Sequence, residues 1–283
     1  MMFSQKLLDV DLKVQRLQMN KNSPNLRLAG VQTLELTQRS LQNEFRQWVV
    51  ILPGLIFPLM MAAVYSSQFG RTLGLPGFPE VRSFLDFILP GSIVQAVSFG
   101  ATSAGTALAL DIEDGFFDRL MASPVSRVPI LLGRLGGAAV IAAGKAIILI
   151  LIFLAFGAQI KAGIGGALII ILTASLLVLA IGGLAQSMAI RTGSQEAVGA
   201  TFPLIFVTIF MSSAFFPTSL MEGWFRALAE NNPITWTVDP IRRLVIQGWS
   251  TTDALQALGV PLLISVVTVS LAIRSLQKML RSS

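Results

Sequence analysis

The sequence predicts an all-α polytopic membrane protein, with an amphipathic interfacial helix ahead of six transmembrane helices. Three observations carry this. Apolar residues are 53% of the 283 and charged residues 13%, against about 25% charge in an ordinary soluble domain. Mean hydropathy is +0.72. Six apolar runs, about residues 48–65, 87–110, 129–156, 165–190, 197–216 and 255–273, approach the roughly 20 residues that an α-helix needs to cross hydrocarbon.

Residues 1–27 form a polar segment with a flexible break at Ser23-Pro24, and the first 46 residues lack the short apolar core of a cleavable signal peptide. Over 28–47, Val31, Leu34, Leu41, Phe45 and Trp48 recur at helical steps with Glu35, Arg39, Gln42 and Arg46 between them. That spacing makes an amphipathic helix, read as an interfacial anchor or as a surface for a partner. Residues 48–275 carry the spans, of which the third and fourth are long, and 276–283 form a basic tail. With the amino terminus inside, fourteen Lys and Arg fall on inner segments and six on outer ones, with Lys145 inside a span. This bias places both termini in the cytoplasm of an inner-membrane protein.

The apolar spans contain few polar side chains. Lys145 is the one ionised group well inside a span, at an insertion cost of about 2.5 to 3.5 kcal/mol. Either it lines a polar cavity or meets an anionic headgroup, or it snorkels to the interface. Gly133, Gly136, Gly137, Gly144, Gly165, Gly166, Gly182 and Gly183 permit close helix approach. Pro53, Pro58, Pro90, Pro203 and Pro261 fall in or at the edges of spans and permit bends. Phe202, Phe206 and Phe210 share one face of the fifth span. With Phe57, Phe99 and Phe215 they line an apolar route, or serve lipid contact and core packing.

Cysteine and histidine are both absent. Disulfides, thiol nucleophiles, the usual zinc sites and Ser-His triads are therefore excluded. The densest polar feature is the loop from Asp111 to Arg127, between the second and third spans, with four acids and two arginines. One reading is a solvated loop whose charges cap helices and pair locally. A second is catalytic: Asp111, Asp114 and Asp118 have the spacing with which intramembrane prenyltransferases hold Mg2+ on a diphosphate. The third is mechanical: a short helix ended by Pro124 docks into a partner. Phe116, Phe117, Leu120 and Met121 then form an apolar anchor that Glu113, Asp118 and Arg119 orient.

Gly115, Asp118-Arg119, Pro124, Ser126-Arg127, Leu131 and Gly133-Arg134 together resemble the loop of permease subunits in type-2 ABC exporters, above all the daunorubicin-resistance-type permeases. A second region agrees: Met211 to Pro217, Trp224, Asn232-Pro233-Ile234-Thr235, and Val238 to Leu244. Here Pro240 stands where the family has a small or apolar residue after the Asp. The likeness covers roughly residues 30–275. It implies a permease without its own ATPase, driven by a separate ATP-binding cassette subunit that carries the ATP and Mg. The chain itself then needs no cofactor, metal or catalytic residue. It implies a second permease copy or a sister permease, and an amphipathic drug, lipid or glycolipid-like substrate moved outward. It further implies that Glu113, Asp114, Gly115, Phe116, Phe117, Asp118, Arg119, Leu120, Pro124, Ser126 and Arg127 form the coupling helix. After Pro217 it implies an outer re-entrant helical hairpin. The nearest Walker-A lookalike, Gly144-Lys145-Ala146, has Ala139 at the first glycine and lies in an apolar span, so it cannot cradle phosphates.

Overall fold

The computed structural model describes residues 26–45, 52–115, 117 and 127–282. Every regular element among them is helical. The order is α1 (Leu26–Phe45), α2 (Pro53–Phe69), α3 (Phe84–Ala101), α4 (Ser103–Glu113), α5 (Arg127–Ala155), α6 (Gly163–Thr192), α7 (Gln195–Gly199), α8 (Thr201–Phe210), α9 (Gly223–Glu230), α10 (Pro233–Ile246) and α11 (Thr251–Ser282).

Four stretches are long and apolar enough to cross a membrane: Phe84–Glu113, Val128–Ala155, Gly163–Thr192 and Thr251–Met279. The chain is therefore a multi-pass helical membrane protein. Two of the six expected spans take another form. The first corresponds to the 17-residue α2, with 48–51 outside the described residues. The fifth is not one helix to Phe216 but the pair α7 and α8, which ends at Phe210 before a run of turns. The second span also breaks, at Thr102, whose carbonyl accepts from the amides of both Gly105 and Thr106. Among the prolines, Pro53 and Pro203 sit in the first turns of α2 and α8, while Pro58, Pro90 and Pro261 lie inside helices.

The stretch α3–α4 is the centre of the bundle. Its side chains Phe87, Ile88, Leu89, Ile93, Val94 and Val97 are buried against α5, α6 and α10. A second core at the other end joins Leu108 of α4 to Leu131, Ala189, Ile190 and Leu276. Glycines set the crossings, as expected where helix association lacks a solvent-driven term. A Cβ on Gly105 would lie 2.5 Å from Ala185 Cβ, and one on Gly183 2.8 Å from Thr268 Oγ1.

Hydrogen bonds sort the connections into two ends. At one end, Lys161 N and Ala162 N donate to Val245 O and Leu244 O at 2.9 and 3.1 Å, and Gln159 N donates to Asp86 Oδ1 at 2.7 Å. At the other, Gln186 Nε2 donates to Leu131 O at 3.2 Å and Gln195 N to Glu113 Oε1 at 2.7 Å. Successive long helices therefore alternate in direction.

Helix α1 lies against the first half of α5. A Cβ on Gly136 would stand 2.6 Å from Thr37 Oγ1, one on Gly137 2.6 Å from Ser40 Oγ, and one on Gly133 would overlap Leu36 Cβ. The face turned to α5 is thus Leu36, Thr37 and Ser40, not the apolar series read from the sequence. In that series Val31 and Leu34 are exposed and Leu41 is half-buried. Phe45 ends the helix, and Trp48 lies outside the described residues. Gly136→Val is expected to push α1 off α5 and to destabilise the detergent-solubilised protein by about 1 to 3 kcal/mol, the usual cost of overpacking. Thermal unfolding checks it, with Gly144→Val as the control, since a Cβ there meets nothing within 4 Å.

Candidate functional site

The charged loop leaves α4 through a glycine turn. Asp114 caps the helix and Gly115 follows at φ +66°, a left-handed conformation that glycine adopts without steric cost. Asp111 forms an ion pair with Arg134 of α5. Glu113, although exposed, accepts from the amide of Gln195. It thereby ties this loop to the α6–α7 turn, where Ser194 caps α7 by accepting from Ala197 N at 3.3 Å. Phe117 does not belong to an exposed anchor. It is 1% exposed, packed with Leu108, Leu131 and Ala189. Arg127 opens α5. Phe116, Asp118, Arg119, Leu120, Met121, Pro124 and Ser126 lie outside the described residues.

The phenylalanines expected on one face of the fifth span do meet. Phe202, Phe206 and Phe210 stack along α8 at 5.8 and 4.7 Å between ring centroids. Phe99 of α3 lies 5.2 Å from Phe202, and Phe57 of α2 lies 5.9 Å from Phe206. Through Phe215 and Tyr65 the column continues to Phe69 and Phe84. Its rings on α8 are half-buried, and the outer face of α8 is open, with Leu204 69% and Val207 52% exposed.

Lys145 neither snorkels nor lines an open cavity. It is 3% exposed. Its Nζ would lie 2.9 Å from a Cβ on Gly54 and 2.9 Å from one on Gly100. The ammonium thus occupies the space that two glycines leave on α2 and α3.

The far end holds a network that sequence reasoning missed. Arg242 is 5% exposed. Its Nε donates to Phe87 O at 3.1 Å, Nη1 to Asp239 Oδ1 at 2.7 Å, and Nη2 to Ser213 O and Ala214 O at 2.6 and 3.1 Å. The guanidinium also sits 4.0 Å from the centroid of the Phe87 ring, a cation–π contact. Asp239 accepts from Ser213 Oγ at 2.6 Å. Helix α10 runs through both Asp239 and Pro240. Arg243, on another face, pairs with Asp253 at 2.6 Å.

Asn232 does begin a helix, and it does more. Its Oδ1 accepts from Ile234 N at 2.8 Å, capping α10, while Nδ2 donates to Thr208 O and Met211 O at 2.7 and 3.0 Å. One side chain therefore satisfies orphan groups at the end of α8 and the start of α10. The sequence signals were Asn before Pro, and the three-residue spacing of Asp239 and Arg242.

A family model described as ABC-2 type transporter matches residues 31–246, from α1 to the end of α10. The chain belongs to the ABC-2 type transporter family. It is 28% identical over 202 residues to a daunorubicin resistance ABC transporter permease protein of Streptomyces coeruleorubidus, covering 70% of this chain and 67% of that one. It is 24% identical over 237 residues to a putative transport permease of Cyanophora paradoxa, covering 83% and 81%. A probable doxorubicin resistance ABC transporter permease protein of Mycobacterium tuberculosis is 22% identical over 240 residues, 85% of each chain. An ABC-2 type permease is a transport subunit, not an enzyme, so the prenyltransferase reading falls. Within the fold Asp111 is already committed to Arg134.

Proposed function

We propose that this chain is the transmembrane subunit of an ATP-driven exporter that moves an amphipathic drug, lipid or glycolipid-like substrate outward across the inner membrane. The family match over residues 31–246 carries the reading. A separate ATP-binding cassette subunit binds ATP and Mg, and this chain contributes no catalytic residue. In this reading six crossings are made by α2, α3–α4, α5, α6, α7–α8 and α11. Helices α9 and α10 form the outer re-entrant hairpin, and both termini lie in the cytoplasm.

Residues 113–127 dock into the ATP-binding subunit as the coupling segment. Glu113 ties it to the α6–α7 turn, and the end of α4 from which it leaves is ion-paired to α5 through Asp111–Arg134. A push on this loop therefore reaches both elements at once, as alternating access by rocking requires. A second permease, identical or a sister, covers the open faces of α2 and α8, where Ile56, Met60, Leu204 and Val207 are exposed. The aromatic column beside them gives an apolar substrate a continuous surface.

The test is a gentle-detergent pull-down of the tagged chain, with identification of stoichiometric partners and assay of vanadate-sensitive ATPase. A subunit bearing a P-loop is expected. Glu113→Ala, Asp118→Ala and Arg119→Ala are expected to leave membrane insertion intact and to lower coupled turnover about tenfold, the loss of roughly 1.4 kcal/mol at the docking contact. Normal transport in all three variants would remove the coupling assignment, and a chain recovered alone and inert toward ATP would remove the exporter reading.

A further inference from the structure

Three polar atoms in the middle of α3 are buried without a partner. Ser92 and Gln95 are both 0% exposed, and neither the Oγ of Ser92 nor the Oε1 and Nε2 of Gln95 make a hydrogen bond among the described residues. Other buried polar groups of the bundle show the contrast. Ser98, on the same helix, donates to Val94 O at 2.7 Å, and Thr173 of α6 donates to Ile169 O at 2.8 Å. Of the three buried amides among the described residues, Asn232 engages both ends and Gln186 its Nε2, but Gln95 engages neither. Inside an apolar bundle such groups carry a desolvation cost that no contact offsets, and a native orphan of this kind calls for a ligand, a water or a functional strain.

Two contacts fix the direction of the pair. A Cβ on Gly91 would meet the backbone of Ala214, and the ring of Phe99 lies 5.2 Å from that of Phe202 and 6.1 Å from that of Phe206. Gln95 stands four residues from Gly91 and four from Phe99, one turn along and about 40° around the helix from each. It therefore leaves α3 between the segment after α8 and the rings of α8. Ser92, seven residues before Phe99, lies within about 20° of that ring's direction. The pair thus shares the face of α3 that the aromatic column covers. The cover is one short element. Helix α8 has ten residues, begins after Ala200 and stops before Met211, and its outer face of Leu204 and Val207 is open.

We infer that Ser92 and Gln95 bind the uncharged hydrogen-bonding group, a hydroxyl or a carboxamide, of the amphipathic molecule that the chain transports, with its apolar body among Phe99, Phe206 and Phe210. This rests on the transport reading above and names the chemistry of its route. The carboxamide of Gln95 offers donors and an acceptor, and the hydroxyl of Ser92 offers both, so the pair matches a group that donates and accepts at once. An ionised group would give up its hydration for two neutral partners. The ligand enters as α8 parts from α3, and its polar group supplies the hydrogen bonds that the closed column does not.

The experiment titrates the full-length protein in mild detergent with 2-naphthamide or with 2-methylnaphthalene, which has the same apolar body and no hydrogen-bonding group. The thermal unfolding midpoint is followed at equal free concentrations of the two. The wild type is expected to bind the amide at least about fivefold more tightly, the worth of one net hydrogen bond. Gln95→Leu combined with Ser92→Ala is expected to erase that preference and to leave the affinity for 2-methylnaphthalene unchanged. Because apolar groups of similar shape replace unpaired polar ones, the ligand-free midpoint of this variant is expected to stay or to rise. Ser98→Ala, on the same helix but with a hydroxyl already bonded to Val94 O, is expected to keep the preference. Equal affinity of the wild type for the two probes, the result if water serves the pair, overturns the proposal. So does a preference that survives in the double variant or is lost equally in Ser98→Ala. A double variant that fails to fold or melts below the wild type overturns it as well, since the pair then holds the fold together. The binding needs no ATP-binding subunit, so it can fail where the pull-down succeeds and hold where the pull-down fails.

Discussion

Replacing Arg242 by Leu is expected to lower the stability of the protein by about 3 kcal/mol or more, the range for breaking a buried ion pair by removing one partner. For a chain of this size that corresponds to roughly 10 °C in the thermal midpoint. The loss is not that of a single bond. The carbonyls of Phe87, Ser213 and Ala214 lose their guanidinium donors, and Asp239 loses its counter-charge. Asp239 retains 31% exposure, so water relieves part of its penalty, but Ser213 and Ala214 are buried and gain no such relief. Arg242→Lys is expected to recover less than half of the loss. An ammonium keeps the charge but cannot reproduce a planar fork that serves α3, the segment after α8 and α10 together. If Arg242→Leu unfolds with the wild type, the network contributes nothing and α10 is held by apolar packing alone.

The same residues show where sequence reasoning reached its limit. The third and fourth spans were legible to within two residues at each end, because charge, glycine and turn residues bound their apolar runs. The fifth was not. Residues 197–216 read as one apolar run, yet the helix stops at Phe210 because Asn232, more than twenty residues on, takes the carbonyls of Thr208 and Met211. Ser212 turns back on the helix end as well, donating to Ile209 O at 2.5 Å. Hydropathy averages over a window and is blind to a cap supplied from another helix.

Charge misled in the same way. Arg242 and Arg243 are neighbours in sequence and look alike, but successive helical residues point about 100° apart. One therefore enters the core and the other meets Asp253 at the rim. Lys145 looked free to snorkel because nothing local marks Gly54 and Gly100 as the two positions that make room for it. Phe117 likewise matched an exposed anchor in composition, but it is buried in the second core with Leu108 and Leu131. The family signature, by contrast, was legible from residue identities alone. It rests on two motif regions, 111–134 and 211–244, and both fall inside the matched residues 31–246.

Gly91→Val is expected to be the most damaging substitution of a small residue, at about 3 kcal/mol, the upper end of overpacking penalties. A Cβ there would overlap the carbonyl oxygen of Ala214 and stand 2.8 Å from its carbon and 3.2 Å from its Cα. All three are backbone atoms, so no rotamer change relieves the contact, and the segment after α8 has to leave α3. That segment is the one Arg242 holds, since Ala214 O accepts from Nη2. The glycine and the arginine therefore act on one joint from opposite sides: Gly91 allows the approach and the guanidinium fixes it. Their effects should not add. Once valine has displaced Ala214, the bonds that Arg242→Leu would remove are already strained or gone, and the double variant is expected to lose at least about 1 kcal/mol less than the sum of the two singles. Thermal unfolding of the four proteins in one detergent measures this coupling. Strict additivity would mean that the glycine contact and the arginine network support separate parts of this end of the bundle. Sub-additivity would make α3, the 213–214 segment and α10 a single mechanical unit, one that moves as a body.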